Sequence, residues 1–137
     1  MEITLLSNEF INDLFEFEQE NRDYFNRIGL GRPDEYYNKE KFKEIVEEHI
    51  LQQKEDIHYM YLIFNDDGKL VGRMNLVEIV RGPLNKAEVG YRISKNEQGK
   101  KYATLALNLK KRAHMSSLSS ETIIHLQYWK PEHNLFE

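Results

Sequence analysis

Ala87-Glu88-Val89-Gly90-Tyr91-Arg92-Ile93-Ser94-Lys95-Asn96-Glu97-Gln98-Gly99-Lys100-Lys101-Tyr102-Ala103-Thr104 is the stretch on which the fold turns. It reads as a strand, a short polar loop and the first turn of a helix. A helix N-terminus carries unpaired backbone N–H groups and the positive end of the helix dipole, so anions, phosphates above all, bind there. Lys100 and Lys101 add charge to the loop. These residues alone point to a phosphate-bearing ligand at 98–104.

Upstream of this stretch the sequence predicts a β meander. Residues 58–64 form an apolar strand rich in Tyr and Ile, covered on both faces, and Asn65-Asp66-Asp67-Gly68-Lys69 is a hairpin turn with glycine at a positive φ. Residues 70–80 return as a strand, with Leu70, Gly72, Met74 and Leu76 on one face and Val71, Arg73, Asn75 and Val77 on the other. Residues 81–85 make the next turn.

Nearer the start, Ile3–Leu6 reads as a first strand, and Ser7 as the N-cap of a helix carrying Phe10, Ile11, Leu14, Phe15 and Phe17. The polar stretch 18–23 leads to Tyr24, Phe25 and Ile28, and Gly29, Gly31 and Pro33 break the pattern. Asn38 caps a second helix, in which Phe42, Ile45, Val46, His49 and Ile50 follow a 3.6-residue period. Downstream, Ala103, Leu105, Ala106, Leu107, Leu109 and Ala113 support a helix with Lys110, Lys111 and Arg112 near its end. Residues 116–120 read as a loop, and 122–129 as a β-branched and aromatic strand that ends in Lys130-Pro131-Glu132-His133-Asn134.

At 137 residues, 40% hydrophobic and 31% charged, the chain has the balance of one globular domain. It contains no cysteine, which excludes disulfides, thiol nucleophiles and cysteine-bound zinc within these residues. A net charge of -4 argues against broad nucleic-acid binding and favours basic partners. There is no secretory signal or membrane-length apolar run, so a cytoplasmic protein without membrane contact is expected. The five histidines make no metal-ligand spacing, and no metal is expected. His49 reads as a core or rim residue of its helix and His125 as a sheet-surface residue. Ser116, Ser117, Ser119 and Ser120 lack a nucleophile-elbow pattern.

The run "EVGYRI" at 88–93 followed by "QGKKYAT" at 98–104 closely resembles the acetyl-CoA signature of the GNAT superfamily of N-acetyltransferases, and most of all the subgroup that acetylates ribosomal-protein N-termini. That signature is Gln/Arg-x-x-Gly-x-Gly/Ala. Gln98 fills its first position and Ala103 its last, while Lys101 stands where the family has its middle glycine. The resemblance implies an α/β (α+β) fold, a mixed, mostly antiparallel sheet flanked by helices. It further implies a single domain over 1–137 that lacks the family's C-terminal helix and strands.

The resemblance also implies acetyl-CoA as co-substrate, with the amides of Gly99, Lys100, Lys101, Tyr102, Ala103 and Thr104 on its pyrophosphate. The strand at Gly90, Tyr91, Arg92 and Ile93 would splay from its neighbour and offer backbone groups to the pantetheine arm and the thioester carbonyl. The other reading of that strand is simple pairing on both sides. Pro131 and Asn134 fall about where the family has a Pro-x-Asn turn whose asparagine approaches the pantetheine arm. The two N-terminal helices would flank the acceptor cleft.

Acetyl transfer to a primary amine requires loss of the amine's proton, and Glu88 is the candidate general base. Its alternative is a structural carboxylate paired with Arg73 or Arg92. Glu78 is the second choice of base, and Tyr128 is either a general acid or a core aromatic. Direct attack fits better than an acyl-enzyme route, because no cysteine is available as carrier. The expected acceptor is a protein N-terminal amine, with polyamines and other small amines also open. Glu16, Glu18, Glu20 and Asp23 form either an attractive surface for a basic acceptor or a solvated face. Two other readings come from different classes: a catalytically inactive CoA-binding remnant, and an interaction module that forms a homodimer by strand sharing at an open sheet edge.

Overall fold

A computed structural model describes residues 1–80, 86–113 and 123–126. The elements run β1 (Glu2–Leu5), α1 (Ile11–Glu20), α2 (Arg22–Arg27), α3 (Lys39–Lys54), β2 (Tyr59–Phe64), β3 (Leu70–Val80), β4 (Lys86–Ile93), α4 (Tyr102–Ala113) and β5 (Ile123–Leu126). Residues 81–85, the loop at 116–120, the outer parts of the last strand, Tyr128, Pro131 and Asn134 lie outside the described residues.

The sheet has the order β1-β2-β3-β4-β5. The first three pairings are antiparallel and β4 pairs with β5 in parallel. This is the mixed, mostly antiparallel sheet flanked by helices that the sequence predicts. On one face Leu14 and Phe17 of α1, Phe25 of α2 and Phe42 and Val46 of α3 pack on Met60, Leu62, Phe64 and Leu70. On the other, Ala103 and Ala106 of α4 pack on Tyr61, Ile63, Met74, Leu76, Ala87, Val89, Tyr91 and Ile93. Strand β2 is thus covered on both sides, alternate residues belonging to different cores, whereas β4 gives Ala87, Val89, Tyr91 and Ile93 to the core under α4 alone.

Asn38 caps α3 as expected, its side-chain oxygen accepting from the Lys41 N–H at 3.1 Å. Ser7 does not cap α1: it makes no side-chain cap bond, and a 3-10 turn over Asn8–Phe10 intervenes before the α-helix. The hairpin turn is confirmed, with Gly68 at φ 79°.

The face assignment of β3 needs one correction. Phe64 pairs with Leu70 while Ile63 pairs with Gly72, a bulge that leaves Val71 unopposed. The extra residue reverses alternation at the start of the strand. Leu70 therefore joins the core under α1–α3 and Val71 the core under α4, the reverse of strict parity. Beyond the bulge the expected parity holds, with Gly72, Met74 and Leu76 toward α4 and Arg73, Asn75 and Val77 toward α1–α3. A second irregularity between Val77 and Val80 puts Glu78 at φ 52°.

Buried polar side chains fill gaps that backbone alone leaves open. Gln53, near the end of α3, donates to the Leu6 carbonyl at 3.0 Å and accepts from the Met60 N–H at 3.0 Å. It thereby closes the sheet where β1 has ended.

Candidate active site

The site lies where α1 and α3 cover the ends of β3 and β4. Three cross-strand pairs form its floor: Arg73 opposite Arg92, Asn75 opposite Gly90 and Val77 opposite Glu88. Like charges directly opposite one another in a sheet repel. Glu18 of α1, with 0% exposure, resolves the conflict. Its Oε1 accepts from Arg73 Nε at 2.7 Å, and its Oε2 stands 3.6 Å from Arg92 Nη1. Arg92 also donates from Nη2 to the Leu30 carbonyl at 2.6 Å and lies 4.9 Å over the Phe25 ring. Burial, then the Arg73 charge, lowers Arg92 to about 10 against the opposing pull of Glu18, so its guanidinium stays charged at neutral pH.

From Arg73 a directed chain of hydrogen bonds runs along the floor. Arg73 Nη1 donates to Asn75 Oδ1. Guanidinium has no acceptor, so the amide oxygen must face it and the amide nitrogen must face His58 Nε2, 2.9 Å away. That nitrogen therefore accepts, and the neutral ring carries its proton on Nδ1. His58 Nδ1 then donates to His49 Nδ1 at 3.2 Å. His49 in turn bonds the Gln52 side chain. Burial, then the Arg73 charge, lowers His49 to about 4, opposed by the Gln52 bond. Burial, then His49 and Arg73, lowers His58 to about 3. Both rings are neutral at physiological pH.

Two recesses open on this floor. The larger, about 450 Å³, has apolar walls that include Leu14, Phe42, Val46, Met60 and Val77, and a polar end at His49, His58, Arg73 and Asn75. Tyr36 stands in its wall, its phenol held neutral by burial that raises it to about 12. The smaller recess, about 130 Å³, reaches Gly90, Tyr91 and Arg92 of β4. Arg32, Arg73 and Asn75 line both. The larger recess is lined by residues of α1, α3 and the segment between α2 and α3.

Glu88 is half-buried on the same face as Gly90 and Arg92, across from the cavity-lining Val77. The guanidiniums of Arg73 and Arg92 both pair with Glu18. Glu78 is exposed, on the strand irregularity. Glu18 is no part of an acidic surface: it is the buried counter-ion of two arginines.

Along β4 the described parallel pairing with β5 ends at Val89 opposite Leu126. The Tyr91 and Ile93 side chains belong to the core under α4, and Arg92 is held by Glu18 and Leu30. What these residues offer a ligand is therefore their backbone. The chain then enters the loop through a 3-10 turn at Lys95–Glu97. Asn21, at the junction of α1 and α2, accepts from Ser94 Oγ at 3.2 Å and from the Lys95 N–H at 3.0 Å, fastening the loop to the helical layer. Gln98 turns inward and donates to the Ile93 carbonyl at 2.8 Å, so its side chain braces the loop. Gly99 and Lys101 both take the left-handed conformation, at φ 79° and 64°. A Cβ at Gly99 would meet nothing within 4 Å, so the loop faces open space.

The helix α4 begins immediately, Leu105 N–H donating to the Lys101 carbonyl at 3.0 Å. The preceding N–H groups of Tyr102, Ala103 and Thr104 are first-turn donors without intrahelical partners. The Thr104 hydroxyl is buried without a hydrogen-bond partner. Lys100 is exposed and paired with Glu97 at 2.9 Å. Free N–H groups, an open glycine loop and an unsatisfied hydroxyl fit a phosphate ligand.

Sequence reading missed the polar floor. A signal for Glu18 existed: it shares one helix stripe with Leu14 and Phe17, at i+4 and i+1, and that stripe is the buried one. For Asn75 and His58 no local pattern announced a contact across 17 residues.

A strand that passes through such a loop into a helix N-terminus is an anion-binding junction, here set in a mixed α/β sheet. Residues 3–126 match the family described as Acetyltransferase (GNAT) domain, and the chain belongs to that family. It is 34% identical over 93 residues to a Bacillus subtilis (strain 168) protein named probable N-acetyltransferase YjcK, covering 67% of this chain and 51% of that protein. Its fold is similar to that of ribosomal-protein-S5-alanine acetyltransferase from Vibrio fischeri, with a TM-score of 0.75 at 17% identity over 84% of this chain and 63% of that one. It is also similar to microcin C7 self-immunity acetyltransferase MccE in complex with acetyl-CoA and AMP, with a TM-score of 0.70 at 22% identity over 85% of this chain and 64% of that one. The chain therefore spans about half the length of the Bacillus subtilis protein. Among the described residues, no helix is long and apolar enough to cross a membrane, and no group of three or more potential metal ligands occurs.

Proposed function

We propose that this chain carries acetyl-CoA-dependent transfer of an acetyl group to a primary amine. The observation that supports this best is the junction of β4 with α4, where the Gly99–Lys101 turn leaves the first N–H groups of α4 facing open space beside the strand. The pyrophosphate of acetyl-CoA would lie on the amides of Gly99, Lys100, Lys101, Tyr102, Ala103 and Thr104. Its pantetheine arm would follow the backbone of Tyr91, Arg92 and Ile93 toward the small recess at Gly90. Asn134 is the further contact that family resemblance supplies.

In that arrangement the amine enters from the large cavity and attacks the thioester carbonyl at the β4 end of the small recess. The N–C bond forms, the C–S bond breaks and the thiolate leaves. A β4 N–H aimed at the carbonyl oxygen stabilises the developing oxyanion. Glu88, on the same face as the recess, takes the amine's proton directly or through water. The ribosomal-protein and microcin-immunity enzymes that share the fold point to different acceptors. A protein N-terminal amine is the acceptor that family resemblance favours, and the cavity's chemistry bears on the choice.

Calorimetric titration with acetyl-CoA at two salt concentrations, followed by amine-dependent thiol release, tests the proposal. Micromolar binding that weakens with salt, together with thiol release only when an amine is present, is the expected result. Binding without amine-dependent release would identify a CoA-binding remnant, and a folded protein that binds no acetyl-CoA would overturn the proposal.

A further inference from the structure

We infer that the Asn75 side chain is an oxyanion donor: one of its amide N–H groups bonds the thioester oxygen, beside the β4 N–H. The inference rests on the acetyltransferase reading above and adds a residue of β3 to it.

The orientation of the amide is the first argument. An asparagine side chain has two N–H donors and one oxygen acceptor. Arg73 Nη1 donates to the oxygen, and the nitrogen faces His58 Nε2 at 2.9 Å. A guanidinium has only donors, so the flipped amide would set donor against donor. One N–H is thereby committed to His58. The other has no partner among the described residues, although Asn75 is only 7% exposed. A buried donor left bare costs about 1–3 kcal/mol, so such a group is kept where a ligand completes it.

Placement is the second argument. Asn75 lines both recesses. It stands directly opposite Gly90 of β4, and cross-strand partners project to the same face. Gly90 has no side chain to fill that position, so the amide lies beside the β4 backbone. The small recess between Asn75 and Gly90, Tyr91 and Arg92 is where the thioester lies in the acetyltransferase reading.

Only an oxygen suits this donor. As the amine nitrogen bonds the carbonyl carbon, the C=O electron pair moves onto oxygen. When that pair returns, the C–S bond breaks and the thiolate leaves. The amine's proton goes to Glu88 or water, not to Asn75, whose oxygen is already held by Arg73. An N–H aimed at the amine would merely occupy the lone pair that attacks. Anchorage to Arg73 and His58 fixes the donor before reaction, the condition under which such a bond lowers a barrier most. Donation from Arg73 also draws electron density from the amide and strengthens its N–H groups.

Two measurements test the inference. In the native chain, the Asn75 side-chain amide is followed by proton–nitrogen NMR during titration with acetyl-CoA and with the ethyl thioether of CoA, which lacks the carbonyl. One amide proton should move downfield with acetyl-CoA and not with the thioether. Asn75→Asp keeps the shape and the Arg73 contact but has no N–H. Its kcat for amine-dependent thiol release should fall roughly 10²- to 10³-fold, the usual loss for one oxyanion donor, with acetyl-CoA affinity nearly unchanged. Equal displacement of the amide proton by both ligands, or displacement by neither, would overturn the inference, and so would an undiminished kcat in Asn75→Asp. The NMR comparison reads the contact in the native chain, with no variant and no acceptor amine required. Absence of acetyl-CoA binding by the folded native chain would instead overturn the acetyltransferase reading, and this inference with it.

Discussion

Arg73 of β3 stands directly opposite Arg92 of β4, and the carboxylate of Glu18, from the helix above, lies against both. Two like charges at facing sheet positions are tolerated only because a buried anion from another layer is placed over them. The same arrangement sets the direction of the hydrogen bonds from Arg73 through Asn75 to the two histidines, and so the protonation state of one end of the cavity.

Removing the shared anion should therefore be costly. Glu18→Gln keeps the shape but removes the carboxylate that the two buried guanidiniums share, and breaking such a buried pair typically costs about 3–5 kcal/mol. Urea unfolding monitored by circular dichroism reads the loss. A change below about 1 kcal/mol would mean that water or another anion already neutralises the site.

The left-handed loop residue makes a second prediction. Lys101 sits at φ 64°, a conformation that costs a side-chain-bearing L-residue about 1–2 kcal/mol and glycine almost nothing. Lys101→Ala removes the charge and keeps the strain, whereas Lys101→Gly removes both. The glycine variant should be the more stable of the two in urea titration by about 1 kcal/mol, after allowance for its more flexible unfolded chain. Equal stability of the two variants would contradict a strained Lys101.

The histidine pair predicts a pH dependence of stability. In the unfolded chain both rings titrate near the ordinary value of 6.5, while in the native protein His49 is lowered to about 4 and His58 to about 3. As pH falls below 6.5 the unfolded state binds protons that the native state refuses, so stability falls with pH, for His49 down to about 4 and for His58 down to about 3. Above 6.5 the pair is neutral in both states and contributes no slope. Protonating His58 also abolishes the acceptor that Asn75 requires. Urea midpoints at pH 7.5 and 5.0 should differ by more in the native chain than in His49→Phe/His58→Gln. Identical pH slopes in the two proteins would refute a neutral buried pair.

Glu88 supplies the kinetic prediction. As general base it should be dispensable for cofactor binding, because it lies on the strand face opposite the residues that pack beneath α4. Glu88→Gln should lower kcat roughly 10²- to 10⁴-fold, the usual contribution of general acid–base catalysis, and leave acetyl-CoA affinity nearly unchanged. An unaltered kcat would remove Glu88 from the mechanism.

Local patterns carried a large part of this molecule. The 3.6-residue spacing of Phe42, Val46 and Ile50, with the Asn38 cap, determined α3, and the glycine hairpin at Gly68 determined the β2–β3 turn. The motif over 88–104 determined the family, because strand, loop and helix start are contiguous in the chain. Such features depend on neighbours a few residues away, so the sequence by itself specifies them. Tertiary structure alone decided the site's polar floor and the start of β3. Glu18 reads as one more charge in a polar stretch until the sheet brings Arg73, 55 residues distant, to 2.7 Å. The bulge that exchanges the faces of Leu70 and Val71 depends on how two strands register, which alternation within one strand does not encode. Burial then turns residues that would be solvated and independent in an extended chain into one coupled network, because in a low-dielectric interior each charge and each donor must find its partner.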